Sequence, residues 1–215
     1  MPPLPPPIAK WFAAKTWAPH PHQLEMLARS ADPATLLIAP TGGGKTLAGF
    51  LPTLVELAET PTRGLHTLYI SPLKALAADM RRNLTGPIAD MGLPIRVEDR
   101  SGDTSQTRKK AQRADPPEIL LTTPESLALL LSYEDSPRMF AGLRRVVVDE
   151  LHALASSKRG DQLMLLMTRL EALAPGLRRV GLSATVDDPD GIARYLARHP
   201  DPCHIVHADP GPAPD

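Results

Sequence analysis

The loop at residues 39–46, which reads Ala-Pro-Thr-Gly-Gly-Gly-Lys-Thr, has the residue types needed to hold a chain of phosphates. Its glycines let backbone N–H groups close around an anion, the Lys45 ammonium supplies a positive charge for β- and γ-phosphates, and the Thr46 hydroxyl is a ligand for Mg²⁺. Ala39 stands where the strict motif has glycine. The pattern predicts that a nucleoside triphosphate with Mg²⁺ binds to Thr41, Gly42, Gly43, Gly44, Lys45 and Thr46.

Two adjacent carboxylates, Asp149 and Glu150, directly follow an all-valine run at 146–148. A carboxylate at the end of a buried strand can hold Mg²⁺, usually through water, opposite Thr46, so that the metal bridges β- and γ-phosphate oxygens. Glu150 is then free to orient the attacking water and to take its proton. We predict Mg²⁺ binding by Asp149 and general-base chemistry by Glu150. The alternative is an Asp-Glu pair that only opens a helix.

Gln23 and the Ser183-Ala-Thr185 sequence are further polar candidates for this pocket. The Gln23 amide has the donor and the acceptor that read the edge of an adenine. Its alternative role is that of a surface residue opening a helix. We expect the Ser183 and Thr185 hydroxyls to bond the 149–152 segment on one side and a mobile neighbour on the other, which would report the state of the γ-phosphate. For Thr185 the alternative is an N-cap near Asp188.

Two segments, Ser71-Pro-Leu-Lys74 and Thr123-Pro-Glu-Ser126, share the layout of a hydroxyl, a proline and then a helix. With proline at the first helical position, each presents free backbone N–H groups at a positive dipole end, which is an anion site without net charge. The pair predicts a grip on successive phosphates of a nucleic-acid strand. Helix capping is the alternative for either segment, and a solvated helix face is the alternative for the basic run at 108–110. The predicted contacts are Ser71, Pro72, Lys74, Thr123, Pro124 and Glu125.

These residues must be positioned by apolar runs that alternate with helical stretches along the chain. Strands are predicted at 36–38, 67–71, 95–98, 119–122, 145–148 and 180–183, and helices at 8–17, 22–30, after the phosphate loop and at 161–174. Strands that alternate with helices indicate an α/β fold whose mostly parallel sheet has helices on both faces. Because the carboxyl ends of parallel strands meet at one edge, we expect all the candidate residues to gather there.

The bulk composition limits the function further. A chain of 215 residues matches one large α/β domain, expected at 8–208, with an extended Pro-rich tail at 1–7 and a Pro/Gly-rich end or linker at 209–215. Lys plus Arg and Asp plus Glu are both 24, so nucleic acid must be held by local groups. Cys203 is the one cysteine, which favours a reducing, cytoplasmic location. No membrane segment or signal peptide is expected. Cys203, His204 and His207 lack a second ligand group, so we assign no metal site there.

Taken together and in order, these motifs resemble the first motor lobe of the superfamily-two helicases of DExH type, a RecA-like P-loop NTPase domain. The matching segments are Gln23, 39–46, 71–77, 122–127, 149–152 and 183–185. Four short sequences resemble the large helicase-related (Lhr) family more closely still. They are Ser-Pro-Leu-Lys-Ala-Leu, Gly-Asp-Thr at 102–104, Thr-Thr-Pro-Glu-Ser-Leu and Lys-Arg-Gly at 158–160. Within that family, the chain looks most like the bacterial DNA-ligase-associated DEXH-box helicases.

The resemblance implies ATP and Mg²⁺ as cofactors and ATP-driven 3′-to-5′ movement on single-stranded or tailed duplex DNA, with RNA as the alternative strand. It also implies a catalytic role for His152, nucleic-acid contacts at Gly102 and Asp103, and a DNA-repair setting with a ligase or nuclease. Such helicases complete the ATP site with arginines from a second lobe, which this sequence lacks. We therefore expect these 215 residues to bind ATP, to hydrolyse it slowly and not to unwind. The rival functions are a binding module without turnover and an unrelated P-loop enzyme such as a kinase.

Overall fold

A parallel sheet forms the centre of the computed structural model, which describes residues 4–40, 44–197 and 201–208. Within those ranges the strands are β1 (Ala34–Ile38), β2 (Thr67–Ile70), β3 (Val97–Asp99), β4 (Ile119–Thr122), β5 (Arg145–Val148), β6 (Arg178–Ser183) and β7 (Cys203–His207). They lie in the order β3-β4-β2-β5-β6-β1-β7, with every pairing parallel. The carboxyl ends of the strands therefore share one edge.

Helices connect successive strands and cover both faces of the sheet. They are α1 (Pro6–Ala14), α2 (Pro21–Ala28), α3 (Lys45–Glu59), α4 (Lys74–Asp90), α5 (Gln106–Ala114), α6 (Pro124–Leu131), α7 (Ser136–Phe140), α8 (Leu151–Ala155), α9 (Lys158–Leu173) and α10 (Pro189–Leu196). Val147 packs with α1 to α4 in one core, whereas Val146 and Val148 pack with α6 to α10 in the other. This two-sided burial explains why β5 shows no polar alternation, and it confirms the predicted α/β architecture.

Several predicted boundaries differ from the structure. Helix α1 begins at Pro6, inside the tail expected to be extended, because a proline in the first turn gives up an N–H that has no helical partner. Helix α9 begins at Lys158 rather than 161, since the Ser157 hydroxyl caps it by accepting from the Gly160 N–H at 3.2 Å. Strand β7 was not predicted. It carries few buried residues at the sheet edge, so its sequence lacks the apolar run of the inner strands.

The amino edge of the sheet, opposite the candidate residues, holds a partly buried ion-pair cluster. Arg145 opens β5 with a side chain 1% exposed, and its Nη2 lies 2.8 Å from Glu56 Oε1 at the end of α3. Arg178, which opens β6, and His66 bond the same carboxylate. Burial opposes ionisation of Glu56, but the hydrogen bonds from His66 and Arg145 dominate and hold its pKa well below the usual range. The cluster joins α3 to two central strands.

None of the helices in the described ranges has the length and apolar character needed to span a bilayer.

Candidate nucleotide and nucleic-acid site

The phosphate loop joins the end of β1 to the start of α3, as its position in the sequence predicts. Gly44 precedes the helix with a φ of 72°, a left-handed conformation that favours glycine, and Lys45 is the first helical residue. A Cβ at Gly44 would lie 3.0 Å from the Gln23 amide nitrogen, so that position requires a close approach as well as a positive φ. Thr41, Gly42 and Gly43 lie outside the described residues. Lys45 and Thr46 therefore begin a helix whose positive end faces the loop.

Gln23 lies against this loop and is 3% exposed, so it is not the surface residue of the alternative interpretation. It does take part in opening α2, because its Oε1 accepts from the His20 backbone N–H at 2.9 Å. One carbonyl lone pair is thus committed to a capping box, while the amide nitrogen lies beside Gly44. The amide is held in a fixed orientation next to the phosphate loop.

A cavity of about 720 Å³ opens beside Gln23, Gly44 and Thr46. Its walls include Trp17, whose ring is 58% exposed and meets the Trp11 ring edge to face at 5.6 Å between centroids. Aromatic faces of this kind stack on planar bases. Sequence analysis missed Trp17 as a candidate, although a tryptophan shortly before Gln23 was the available signal.

The two carboxylates occupy the end of β5 on the same edge. Asp149 is 8% exposed and accepts two hydrogen bonds, one on Oδ1 from the Glu150 backbone N–H at 2.9 Å and one on Oδ2 from the Tyr69 hydroxyl at 2.5 Å. Glu150 has a φ of 49°, which is strained for a residue with a Cβ. That turn brings Glu150 Oε1 to 3.8 Å from the Lys45 ammonium. The general-base candidate and the lysine predicted to bind phosphate are therefore adjacent.

His152 links Glu150 to the end of β6. Its Nδ1 accepts from the Ala184 backbone N–H at 3.3 Å and lies 3.2 Å from the Ser183 hydroxyl, while its Nε2 lies 3.3 Å from Glu150 Oε2. Because Nδ1 accepts a hydrogen bond from a backbone N–H, the ring proton is on Nε2, which lies beside the Glu150 carboxylate. The predicted contact between Ser183 and the 149–152 segment is present.

Thr185, in contrast, is exposed and does not cap a helix. The N-cap of α10 is Asp188, whose Oδ1 accepts from the Gly191 N–H at 2.8 Å. The capping alternative for Thr185 is therefore wrong. A carboxylate directly before Pro189 caps better than a hydroxyl several residues away, since Pro189 sits in the first turn.

The two hydroxyl-proline segments follow β2 and β4, which are neighbours in the sheet. Thr123 caps α6, with Pro124 in the first turn and Ser126 N–H bonded to the Thr123 hydroxyl at 3.4 Å. The predicted helix start at Pro72 was wrong, because α4 begins only at Lys74. The Ser71 hydroxyl bonds the Leu73 N–H at 3.3 Å in a local turn that delays the helix.

Arg159 connects these two segments and was missed by sequence analysis, where it entered only through the wording of 158–160. Its Nη2 donates to the Pro72 carbonyl at 2.9 Å and its Nε to Glu125 Oε1 at 2.7 Å. Burial works against ionisation of Glu125, but the bond from Arg159 helps to hold its pKa below the usual range. A single guanidinium therefore fixes the spacing of both predicted phosphate contacts.

A third loop approaches the first segment on its other side. The Lys74 ammonium lies 2.9 Å from Asp103 Oδ2, and the Lys109 ammonium donates to the Gly102 carbonyl at 2.9 Å. Arg108, from the basic run, pairs with Glu98 on β3 at 3.3 Å. Gly102 and Asp103 are thus placed next to Lys74, on the part of the edge that holds the predicted nucleic-acid contacts.

Backbone hydrogen bonds show how the edge is ordered. Ser71 N–H donates to Thr122 O, Asp149 N–H to Ile70 O, and Ala39 N–H to Ser183 O. Across the sheet the sequence of loops is therefore the Thr123 segment, the Ser71 segment, the carboxylates, Ser183 and the phosphate loop. The predicted nucleic-acid residues and the predicted nucleotide residues form two contiguous halves of one edge.

A phosphate loop after β1 and an acidic pair after β5, on the carboxyl edge of a parallel sheet covered on both faces, define the class of RecA-like P-loop domains. The family model for the DEAD/DEAH box helicase matches residues 20–191. The chain belongs to the DEAD/DEAH box helicases and, within them, to the Lhr helicase family.

Three relatives illustrate the match. The chain is 44% identical over 203 residues to the "Lhr helicase/ probable uracil glycosylase" of Mycolicibacterium smegmatis, covering 87% of this chain and 13% of the relative. It is 40% identical over 207 residues to "ATP-dependent helicase Lhr-Core protein 2" of Thermococcus barophilus, covering 88% and 24%. The solved structure of Mycobacterium smegmatis helicase Lhr bound to ssDNA and AMP-PNP superposes with a TM-score of 0.86 at 42% identity, covering 94% of this chain and 27% of that one. The chain thus spans a quarter or less of the curated relatives' length.

Proposed function

We propose that this chain is the first, ATP-binding motor lobe of an ATP-dependent DNA helicase that moves along single-stranded DNA. The observation that carries the proposal is the continuous edge in which Lys45, Glu150, His152 and Ser183 are linked on one half and Arg159 joins the two helix-start segments on the other. A nucleotide site and a strand site on one edge can sense each other. The solved relative bound to ssDNA and AMP-PNP supports both ligands.

Each nucleotide-site residue has a distinct chemical role in this proposal. Lys45 binds the β- and γ-phosphates as a point charge, and Gln23 and Trp17 face the base. Glu150 orients the attacking water and accepts its proton, while the His152 Nε2–H holds that carboxylate in place. The left-handed backbone of Glu150 places its carboxylate beside Lys45.

Thr46 and Asp149 fit a magnesium ion. Both offer hard oxygen donors, and the two hydrogen bonds on Asp149 leave lone pairs for water ligands of the metal. When bound, Mg²⁺ neutralises charge on the β- and γ-phosphate oxygens. Asp149 would hold it from the β5 side and Thr46 from the start of α3.

The nucleic-acid half would grip phosphates rather than read bases. The capped start of α6 presents backbone N–H groups at its positive end. Lys74 adds a positive charge, which is paired with Asp103 when no nucleic acid is bound. A single-strand contact of this kind loses affinity with salt by a slope of about 0.7 per neutralised phosphate. DNA is favoured over RNA because the solved Lhr relative holds ssDNA.

A second lobe completes the motor in this proposal. Arginines supplied from outside a P-loop domain can raise turnover by about 10³ to 10⁵. We therefore propose that the 215-residue chain binds ATP, hydrolyses it slowly and does not unwind. A 3′-to-5′ direction, and a DNA-repair role beside a ligase or nuclease, are carried only by the resemblance of its motifs.

ATP hydrolysis measured with and without single-stranded oligo-dT tests the proposal. We expect the 215-residue chain to show a low rate that DNA does not change, and the same chain fused to the second lobe of a related Lhr helicase to show a rate that DNA raises many-fold. No stimulation in the fused protein, despite intact ATP binding, would favour a binding module without turnover. Stimulation by a small phosphoryl acceptor instead of DNA would favour a kinase.

A further inference from the structure

The hydroxyl of Tyr69 crosses the boundary between the two halves of the edge. Tyr69 lies on β2, the strand that leads into the Ser71 segment, and pairs in register with Val147 on β5. Its hydroxyl reaches past the end of β5 to Asp149 Oδ2 at 2.5 Å. Among the residues that the structure describes, no other side chain proposed above for nucleotide or strand binding makes this connection.

The Tyr69 side chain is buried and packs against α3. It is 0% exposed, and its ring packs against Phe50 of α3 with centroids 5.7 Å apart. The phenol hydroxyl is the donor in the hydrogen bond to Asp149 Oδ2. Tyr69 thus touches the helix that follows the phosphate loop and the carboxylate proposed to hold the metal.

The two donors on Asp149 together fix its carboxylate plane. The Glu150 N–H occupies one oxygen and the Tyr69 hydroxyl the other, so neither rotation about the Cβ–Cγ bond nor a change of rotamer is free. Partners of this kind orient metal ligands, and their loss typically costs about 10- to 100-fold in metal affinity. Any substitution of Tyr69 leaves the Glu150 N–H in place and removes the hydroxyl that bonds Asp149 Oδ2.

We infer that Tyr69 is a positioning residue that sets Asp149 for the divalent cation of the bound nucleotide. This inference rests on the proposed function, since it assumes that nucleotide and Mg²⁺ bind at this edge. It extends that function by assigning a role to a residue outside the predicted motifs. A buried tyrosine with a purely structural role would instead leave the metal dependence of nucleotide binding untouched.

Binding of AMP-PNP carrying a fluorescent methylanthraniloyl group to the 215-residue chain tests the inference, with Mg²⁺ titrated from EDTA conditions upwards. In Tyr69→Phe we expect the half-saturating Mg²⁺ concentration to rise about tenfold, while binding in EDTA stays as in wild type. The matched control is Tyr195→Phe, which removes a phenol hydroxyl from α10 and should leave the titration unchanged.

The outcomes separate the inference from the function on which it rests. Equal Mg²⁺ dependence in wild type and Tyr69→Phe would overturn the role of Tyr69 alone. Loss of binding in EDTA as well would also overturn it, because the defect would then lie in the pocket and not in the metal. If the wild-type chain binds the AMP-PNP analogue equally well with and without Mg²⁺, both the proposed function and this inference are contradicted.

Discussion

At the scale of single residues, Glu150 satisfies three constraints at once. Its backbone is left-handed, one carboxylate oxygen lies near Lys45 and the other near His152. Strained backbone at a functional position persists only where its surroundings fix it. A substitution of Lys45 or His152 should therefore change the orientation of the Glu150 carboxylate, and with it the position from which this group can accept a proton.

Substitutions of Glu150 and Lys45 should therefore have different effects in a two-lobed protein. Glu150→Gln keeps the size but loses the base, so we expect unchanged ATP affinity and hydrolysis slower by about 10²- to 10⁴-fold. Lys45→Ala removes the phosphate charge and should abolish nucleotide binding. Titration with a fluorescent nucleotide and steady-state phosphate release measure the two effects, with Glu134→Gln, an exposed carboxylate elsewhere, as control. Normal turnover in Glu150→Gln would remove it as the base.

His152 leads to a different prediction, because it lies beside Glu150 and bonds the end of β6. In a two-lobed protein, His152→Ala should lower the stimulation of ATP hydrolysis by oligo-dT more than it lowers the rate without DNA, since the link to Ser183 is lost. The readout is the ratio of the two rates. An equal loss in both would show that His152 serves hydrolysis only.

Arg159 sets the spacing of the two helix-start segments through a planar fork that lysine cannot reproduce. Both Arg159→Ala and Arg159→Lys should weaken oligo-dT binding to the chain about tenfold, with an unchanged slope of log Kd against log salt. A direct phosphate contact would instead lower that slope by about 0.7 in Arg159→Ala. Fluorescence anisotropy at several salt concentrations distinguishes the two, and Arg138→Ala on α7 is the control for charge.

At the scale of elements, similar sequences give unequal helix starts. Thr123 caps α6 directly, whereas Ser71 stabilises a turn before α4. Thr123→Ala should therefore lower the free energy of unfolding by about 1 kcal/mol, and Ser71→Ala by less. Urea denaturation followed by circular dichroism compares the two variants. An equal loss would mean that both hydroxyls act as N-caps.

Elements buried on both faces were predictable from sequence, whereas the edge strand β7 was not. The valine run of β5 and the phosphate loop combine strong local signals with the demands of a parallel sheet. Strand β7 was not predicted because an edge strand needs only one buried side, and the sequence of β7 mixes polar with apolar residues. The contacts of Tyr69 and Arg159 were not predicted because their partners lie far away in the chain, and no local sequence pattern encodes such contacts.

At the scale of the whole molecule, the ion-pair cluster on the amino edge contributes to stability in a pH-dependent way. The Glu56 carboxylate has a lowered pKa when folded, so its contribution is present above the unfolded value of about 4.3 and is lost as pH falls below it. Removing its charge also leaves Arg145 buried without a counter-ion.

Glu56→Gln should therefore destabilise the chain by about 3–5 kcal/mol at pH 7, with a smaller difference from wild type as the pH is lowered into the acid range. Urea denaturation at a series of pH values measures that difference, and Glu59→Gln, an exposed glutamate ending the same helix, is the control. A difference that stays constant with pH would show that packing, not charge, accounts for the cluster.

The place of β1 in the sheet has a consequence for synthesis. The strand that leads into the phosphate loop pairs only with β6 and β7, both of which emerge from the ribosome late. A nascent chain that stops before residue 178 leaves both sides of β1 without ladder partners, while β2, β4 and β5 can already pair. We therefore expect folding during synthesis to begin at β2, β4 and β5 and to reach β1, with the loop that follows it, last.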